Sequence, residues 1–288
     1  MILIRILLLI IICFCSSLSA SAIKIGLYTN SEDTIYFGVS KSGVIADAET
    51  GDYILLLNPM KPYKMKGKGE YLQISVDGKD YWIKNQKIII KSTQEKGLVY
   101  TKKKWYKGEL VALNTNEGLT VINEIDLENY VKGVVPAEMP PAWNLEAHKA
   151  QAIAARSYAV SNAGKRGKLG YDLKDNDEDQ VYKGLSAETL QTNHAVDATK
   201  GQVLVYNDKV IRAYHHASSG GSTLSAKDVW GMDLPYTVPV RSFDENLPCR
   251  GHRVGMSQNG ANILAKEGYN AYQILGYFYR NVMLRTLY

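Results

Sequence analysis

The strongest constraint on the fold is a change in hydrophobic pattern near Ile125. Before this residue, short runs of alternating apolar and polar residues are separated by Gly, Pro and Asp turn signals, a pattern that predicts β-strands and hairpins. After it, residues 144–163 contain seven alanines, with Asn144 as the helix N-cap, Glu146 in the first turn and Gly164 past the end. Strands followed by such a mixed segment predict an α+β fold rather than a wound parallel sheet.

Several individual elements can be predicted from local signals. The strands are residues 23–28, 71–76 and 87–90, and hairpin turns are expected at 77–78, 116–118 and 207–208. Two short helices are expected at 260–268 and 270–279. A further short helix is expected to start at Asp126 and end at Gly133, because three prolines between residues 136 and 141 oppose regular structure. The alanine-rich helix should be central, since small side chains let other backbone approach it closely.

The first 22 residues predict an export signal rather than part of a domain. Arg5 precedes an apolar run at residues 6–12, which is too short to cross a bilayer, and Ala20-Ser21-Ala22 resembles a signal-peptidase site. We therefore expect residues 1–22 to be a signal peptide. The mature chain is then expected in the periplasm or the cell-wall space, and it contacts the membrane only if the signal segment stays uncleaved.

Composition and cysteine content exclude several other classes. Hydrophobic residues make up 45% and charged residues 22%, which argues against disorder, and a net charge of +5 spread along the chain does not predict nucleic-acid binding. Once the signal segment is removed, Cys249 is alone, so no internal disulfide is expected. Cys249 and His252 have a C-x-x-H spacing, but two ligands do not make a tetrahedral zinc site.

Glu138 is the leading catalytic candidate. It lies between Pro136 and Pro140, directly before the alanine-rich helix, and its sequence neighbours Val135 and Met139 are apolar. A carboxyl group in a loop with apolar surroundings is expected to have a raised pKa, as a general acid in glycosidic cleavage requires. The alternative is a solvated loop glutamate.

Arg156 is the second candidate, because its neighbours on the predicted helix are apolar. A buried guanidinium needs an anionic partner, which Glu138 or a substrate oxygen would supply; the alternative is a structural ion pair elsewhere. Weaker signals are an acidic run at residues 172–179, interpreted as a solvated loop, and a Gly-rich polar segment at 251–258 that is typical of a ligand-lining loop.

Together these segments resemble the stage II sporulation protein D / amidase-enhancer (SpoIID/LytB) family. The resemblance covers about residues 108–285 in the order of that family. It rests on Val134-Val135-Pro136-Ala137-Glu138-Met139-Pro140 and on residues 120–130, 147–159, 179–184, 218–221, 229–231 and 251–261. It divides the chain into the signal segment, a β-rich N-terminal region at 23–107 and a SpoIID-like catalytic domain at 108–288.

The resemblance implies a lytic transglycosylase that acts on peptidoglycan glycan strands stripped of their stem peptides, with a cell-wall amidase as partner. Glu138 and Arg156 match the family's catalytic positions. Residues expected to bind the sugar are Gln180, Tyr182, Ser218, Ser219, His252, Ser257 and Gln258. Some members bind zinc before the Gln-x-Tyr motif, but residues 172–179 contain no Cys or His here, so neither metal nor cofactor is expected. Arg253 and Asn259 also depart from the family pattern, which usually has Gly and Tyr at these positions.

Two other functions remain open at this stage. Members described as amidase enhancers suggest a non-catalytic peptidoglycan-binding protein that stimulates an amidase. A zinc hydrolase using His215, His216 and His252 is a third possibility, and a serine hydrolase lacks the G-x-S-x-G elbow.

Overall fold

The structure is a computed structural model that describes residues 22–32, 34–84, 86–115 and 118–288. The predicted signal segment therefore lies outside the described residues except for Ala22, which begins the first strand. Two residues of the predicted turn at 116–118 lie outside them as well. Within these ranges, no helix has the length and apolar character needed to span a membrane.

The described residues up to Asp126 form strands, as their alternating pattern predicts. These strands are Ala22–Glu32 (β1), Thr34–Val39 (β2), Gly43–Asp47 (β3), Tyr53–Leu57 (β4), Tyr63–Lys68 (β5), Tyr71–Val76 (β6), Lys79–Ile83 (β7), Lys87–Ser92 (β8), Val99–Thr101 (β9), Lys104–Tyr106 (β10), Glu109–Thr115 (β11) and Gly118–Asp126 (β12). The three strands predicted by name are found as β1, β6 and β8. Asp77 and Gly78, with φ of 50° and 71°, form the predicted tight turn between β6 and β7.

Helices and short strands follow one another in the remaining chain, which confirms the α+β class. The helices are Leu127–Glu138 (α1), Leu145–Ser161 (α2), Leu190–Ala198 (α3), Ala226–Trp230 (α4), Gln258–Lys266 (α5) and Ala271–Phe278 (α6). The strands are Leu173–Lys174 (β13), Gln202–Tyr206 (β14), Lys209–Val210 (β15), His215–His216 (β16), Met256–Ser257 (β17) and Met283–Thr286 (β18). The two predicted C-terminal helices correspond to α5 and α6, and the turn at 207–208 joins β14 to β15.

Two mainly antiparallel sheets contain the strands β1–β12 and share one hydrophobic core. One sheet has the order β13-β1-β12-β11-β8-β3-β4, with β13 parallel to β1, and the other has the order β10-β9-β2-β5-β6-β7. Buried side chains of both sheets, such as Ile45 and Leu110 from the first and Phe37 and Met65 from the second, belong to the same apolar cluster. The first sheet therefore packs against one face of the second.

The first sheet continues across the predicted boundary at residues 107 and 108. Strand β11 lies between β8 and β12, and Leu110 pairs with Ile90. Strand β12 in turn pairs with β1 over most of its length. This boundary, which follows the extent of the family resemblance, therefore does not separate two hydrophobic cores.

Helix α2 is central, as its alanines predict. Asn144 caps it by accepting a hydrogen bond from the Glu146 N–H at 2.9 Å. The side chains of Ala152, Ala155 and Ala159 lie in the core shared with the sheets. Its other faces pack into a second core with α5 and α6, to which Ala147 and Ala154 belong. The helix thus joins the β-rich part to the C-terminal elements.

Helix α1 extends further than predicted, because packing overrides its local breakers. Gly133 does not end it; a Cβ there would lie 2.5 Å from the ring of Tyr182, so glycine is needed for close packing. Pro136 lies inside the last turns, where its missing N–H removes one helix hydrogen bond. Val134 and Val135 are fully buried, and this burial stabilises the extra turn.

Candidate active site

Glu138 is the last residue of α1, not part of an irregular loop as the prolines suggested. Its side chain is 14% exposed. The Oε1 atom accepts a hydrogen bond from the Val181 backbone N–H at 2.8 Å, and Oε2 accepts one from Gln258 Nε2 at 2.9 Å. The sequence predicted apolar surroundings for this carboxylate, but the structure has two polar donors beside it, and these fix its direction.

His215 is the third group at this carboxylate, and its position was not predicted from the sequence. Its Nε2 atom lies 3.9 Å from Glu138 Oε2, beyond direct hydrogen-bond distance. Its Nδ1 atom is 3.3 Å from the Ala213 carbonyl. Strand β16, which carries His215, runs parallel to β17, and α5 with Gln258 follows β17 directly. This small parallel pair brings His215 and Gln258 to Glu138 together.

The acidic loop before Gln180 is exposed at residues 176–178, as predicted, but it is anchored at Asp179. The Asp179 side chain is fully buried and pairs with Lys165 at 2.8 Å and with Arg166. It also accepts hydrogen bonds from the Tyr158 hydroxyl at 3.2 Å and from the Lys174 N–H at 2.9 Å. These contacts hold the backbone that presents the Val181 N–H to Glu138.

Gln180 and Tyr182 have different environments although they share a motif. The Gln180 side chain is buried, and its Oε1 atom accepts from the Tyr130 hydroxyl at 3.2 Å. Its Nε2 atom has no partner among the described residues. The Tyr182 hydroxyl donates to Asn123 Oδ1 at 2.8 Å, and its ring packs on Tyr130 with centroids 5.0 Å apart. Tyr182 is therefore a core residue and does not present its hydroxyl to a sugar.

The three predicted serines are buried and build the loops rather than facing solvent. Ser219 N–H and Ser257 Oγ donate to the buried Asp244 carboxylate at 2.8 and 2.7 Å, and Ser218 Oγ donates to the Pro248 carbonyl at 2.5 Å. Burial raises the pKa of Asp244, but its hydrogen bonds outweigh burial and hold the pKa below its usual range. Asp244, which carried no sequence signal, thus holds Ser219 and Ser257 in place, and the sugar-binding role of the three serines stays a prediction.

An aromatic group surrounds His252 beside the histidines of β16. The ring centroid of His252 lies 4.8 Å from that of Trp230, 5.5 Å from that of His216 and 5.9 Å from that of Tyr214. Burial and the nearby His215 lower the pKa of His252 to about 4. Burial and the adjacent His252 lower the pKa of His216 to about 3. Both rings are therefore neutral at pH 7.

These two histidines predict a pH dependence of stability. An unfolded histidine takes up a proton below about pH 6.5, whereas His216 and His252 stay neutral in the folded protein until lower pH. The free energy of unfolding is therefore expected to fall as pH drops from about 6.5 towards 4. Urea unfolding across this pH range measures how steeply the free energy of unfolding depends on pH. The His216→Gln substitution should make this dependence weaker, whereas His194→Gln, at an exposed position, should leave it unchanged. An unchanged slope in the His216→Gln protein would contradict the assignment.

Arg156 does not contact Glu138. It is 0% exposed, and its Nε and Nη2 atoms donate to the two carboxylate oxygens of Glu128, both at 2.8 Å. Its Nη1 atom donates to the Gln202 carbonyl at 3.0 Å. The structure thus gives Arg156 the structural ion pair that the sequence left open as the alternative.

The described residues contain no group of three or more His, Cys, Asp or Glu side chains arranged to hold a metal ion. In His216, Nε2 lies 2.6 Å from Ser219 Oγ and Nδ1 lies 3.2 Å from the Val254 carbonyl. Both ring nitrogens therefore already have hydrogen-bond partners. This geometry gives no support to the zinc hydrolase that was proposed on His215, His216 and His252.

Comparison with known families identifies the segment that carries Glu138. Residues 115–206 match the family model described as SpoIID, stage II sporulation protein. This part of the chain is similar to the SpoIID family. The SpoIID segment begins in β11 and ends with β14, so it includes Glu138 and Val181 but not His215 or Gln258. The SpoIID site is therefore completed by residues outside the matched segment.

Curated relatives support the same family. An uncharacterized protein of Brachyspira hyodysenteriae is 39% identical over 158 residues, covering 54% of this chain and 43% of the relative. The stage II sporulation protein D of Bacillus subtilis is 37% identical over 143 residues, covering 44% of the chain and 42% of the relative. The amidase enhancer of Bacillus subtilis is 44% identical over 108 residues, covering 38% of the chain and 14% of the relative. The chain thus spans less than half the length of each of these relatives.

Proposed function

We propose that the chain is a peptidoglycan lytic transglycosylase that cleaves the bond between N-acetylmuramic acid and N-acetylglucosamine in strands stripped of stem peptides. The observation that carries the proposal is the Glu138 carboxyl group. It lies in a SpoIID segment, is only partly exposed and is oriented by the Val181 N–H and by Gln258 Nε2. A carboxyl group held in one direction is the arrangement that general acid–base catalysis requires.

The reaction requires one group that gives up a proton and later takes one back. Glu138 as acid protonates the glycosidic oxygen as the bond from the muramyl C1 breaks. As base it then accepts the proton of the muramyl 6-hydroxyl, whose oxygen forms the new bond to C1. The product is a 1,6-anhydro end, no water is consumed, and Glu138 returns to its starting state. Because the internal hydroxyl replaces water, the paired carboxylates of ordinary glycosidases are not needed.

The neighbouring groups have separate roles in this proposal. Val181 and Gln258 hold the carboxylate through the hydrogen bonds already described. His215, whose Nε2 atom lies 3.9 Å from Glu138 Oε2, is a second polar group beside the carboxylate. The partly exposed Trp230 ring, packed on His252, offers a flat surface for a pyranose ring.

The test is a product analysis that separates elimination to an anhydro sugar from hydrolysis. The full chain is incubated with amidase-stripped glycan strands in water enriched in ¹⁸O, and the products are read by mass spectrometry. A lytic transglycosylase gives anhydro-muramyl ends that contain no ¹⁸O. Reducing ends that carry ¹⁸O indicate a hydrolase, and intact strands indicate no enzyme; either result overturns the proposal.

A second candidate function is a non-catalytic enhancer of a cell-wall amidase. The observation that favours it is the 44% identity to a protein named amidase enhancer. In that case the chain accelerates an amidase on intact peptidoglycan, and Glu138→Gln stimulates it as well as the parent does. We place both activities outside the cytoplasmic membrane, as the predicted signal segment suggests, with the amidase as the proposed partner.

A further inference from the structure

The open face of the six-stranded sheet carries aromatic rings and lysines together. Its other face is packed into the core through alternate residues such as Ile35, Phe37 and Met65. The residues between them point away from the core, because side chains alternate along a strand. We name this surface the aromatic–lysine face and define it by Tyr36, Lys64, Lys66, Lys68, Tyr71 and Trp82. Tyr36 and Trp82 are 58% and 54% exposed, a high exposure for large rings.

The strand register places the rings and the lysines next to one another. Tyr36 pairs with Lys64 across β2 and β5, and Lys68 pairs with Tyr71 across β5 and β6. Lys66 and Trp82 both pair with Gln73, from its two sides. Lys68 Nζ also lies 5.9 Å from the centre of the Trp82 ring. Each lysine therefore has a ring beside it in the same cross-strand row or the next.

The face is positively charged overall. Lys64, Lys66 and Lys68 lie in a line along β5, whereas the acid in these rows is Asp80, opposite Ser75. The Asp80 carboxylate already has partners within the sheet, because it accepts hydrogen bonds from Gln73 Nε2 and Ser75 Oγ, both at 2.6 Å. Three ammonium groups against one carboxylate leave positive charge for a ligand.

A small cleft lies at the β9 end of the same face. Gly38 pairs with Tyr100, and Tyr100 with Trp105, so all three lie on the open side of the sheet. The absence of a side chain at Gly38 helps to form a cleft of about 170 Å³ that Tyr100 and Trp105 line, with ring centroids 5.1 Å apart. Aromatic rings in a shallow cleft are suited to stacking against the apolar side of a sugar ring.

We propose that the aromatic–lysine face binds the glycan strand stripped of stem peptides, at a distance from Glu138. This inference rests on the proposed function for its substrate. An amidase that cuts the bond between the muramyl lactyl group and the first amino acid leaves a carboxylate on every muramyl residue. Stripped glycan is therefore a polymer of pyranose rings with regularly spaced carboxylates, and the face offers rings for the sugars and lysines for the carboxylates.

The charge pattern favours this ligand over a nucleic acid or an anionic membrane. A nucleic acid carries a phosphate at every residue, and its binding relies on many basic contacts. Three lysines with one carboxylate, Asp80, in the same rows suit a polymer with one carboxylate per disaccharide better. The opposite side of the same sheet shares its core with β12, which leads into α1 and Glu138.

The test measures binding with turnover removed. Full-length Glu138→Gln protein is titrated with stripped glycan strands, with the same strands after methyl esterification of the lactyl carboxylates, and with neutral chitooligosaccharides. Joint substitution Lys64→Gln, Lys66→Gln and Lys68→Gln should weaken binding to stripped strands about tenfold, as the loss of three exposed ion pairs implies. Esterified strands and chitooligosaccharides should bind both proteins equally. Joint substitution of the exposed Lys200, Lys209 and Lys266 by Gln keeps the charge change but lies elsewhere, and should leave affinity unchanged.

Three outcomes would overturn the inference. The first is that the face variant and the parent bind stripped strands with equal affinity. The second is that the parent binds stripped and esterified strands equally. The third is that, in matching titrations with RNA or anionic vesicles, the face variant loses affinity for these ligands but not for stripped strands. Trp82→Ala with Tyr36→Ala gives an independent check, because it should weaken binding to neutral and charged glycans alike. Cleavage of short stripped oligosaccharides by the wild-type chain is assayed separately. If the chain binds stripped strands but does not cleave the oligosaccharides, the proposed enzymatic function is wrong and the proposed binding site stands. If the chain cleaves them but the face variant binds stripped strands as tightly as the parent, the binding site is wrong and the enzymatic function stands.

Discussion

Replacing Glu138 by glutamine is expected to lower turnover of stripped glycan by about 10²–10⁴-fold, the usual contribution of general acid–base catalysis. Glutamine keeps the size of the side chain but cannot donate a proton and take it back. Release of anhydro-muramyl products under single-turnover conditions measures the effect. Affinity for the glycan, measured in the same proteins, should be unchanged.

The Glu138→Gln protein should fold, because the structure shows no ion pair at this carboxylate closer than the 3.9 Å approach of His215. The introduced amide oxygen can accept from the Val181 N–H, and Gln258 can rotate its own amide to accept from the introduced NH₂ group. Glu267→Gln, at an exposed position, is the matched control and should keep full activity. Parent-rate product release by Glu138→Gln would remove Glu138 from the mechanism. His215 would then be the next candidate, because Glu128 is bound to Arg156 and Asp126 caps α1.

Elements controlled by neighbouring residues were predictable from the sequence. The Asp77-Gly78 turn needs only two residues with positive φ, and the N-cap of α2 needs only Asn144. The alanine content of α2 also predicted its central place, because small side chains leave room for the two cores on either side. Local steric and hydrogen-bond rules suffice in these cases.

The partners of the site residues were not predictable, because they are distant in sequence. Val181 is 43 residues from Glu138, and Gln258 is 120 residues from it. No spacing rule links such positions; the sheet and the β16–β17 pair bring them together. For the same reason the hydrogen bonds of Ser219 and Ser257 to Asp244 were not predictable from the sequence.

Helix α1 shows how packing can reverse a correct local signal. Glycine and proline do disfavour helix, and their presence at 133 and 136 predicted an early end. In the fold, Gly133 is the residue that lets Tyr182 approach, and the burial of Val134 and Val135 stabilises the following turn. The extension matters for function, since it makes Glu138 the end of a rigid helix.

The largest effect on stability is expected for Arg156→Met. Removing one partner of a buried ion pair typically costs about 3–5 kcal/mol, because the other charge stays buried. Glu128 would keep hydrogen bonds from the Tyr288 hydroxyl and the Gly201 N–H but lose both guanidinium contacts. Denaturant unfolding at neutral pH measures the loss. Arg285→Met, which removes an exposed ion pair with Asp208, is the control and should change stability by less than about 1 kcal/mol.

The pH dependence of this loss follows from Glu128. Burial raises the pKa of the Glu128 carboxyl, but the hydrogen bonds and charge of Arg156 outweigh burial and hold that pKa below its usual range. The contribution of the pair is therefore full above about pH 4.5 and is lost as pH falls through the lowered pKa. The difference between the parent and Arg156→Met should accordingly narrow in acid. If the stability difference between the parent and Arg156→Met stayed constant as the pH falls below about 4.5, the Arg156–Glu128 pair would not be the cause of the lost stability.

A double substitution separates a structural from a catalytic role for Arg156. Replacing both members, Arg156→Met with Glu128→Leu, removes the uncompensated charge and should recover much of the lost stability. If Arg156 only holds α1 against α2, the recovered protein should regain glycan cleavage as well, because Glu138 is then returned to its position at the end of α1. Recovered stability without recovered cleavage would instead assign Arg156 to the reaction, as the family resemblance implies. The structure favours the first outcome, since every guanidinium hydrogen bond ends on Glu128 or on backbone carbonyls and none reaches Glu138.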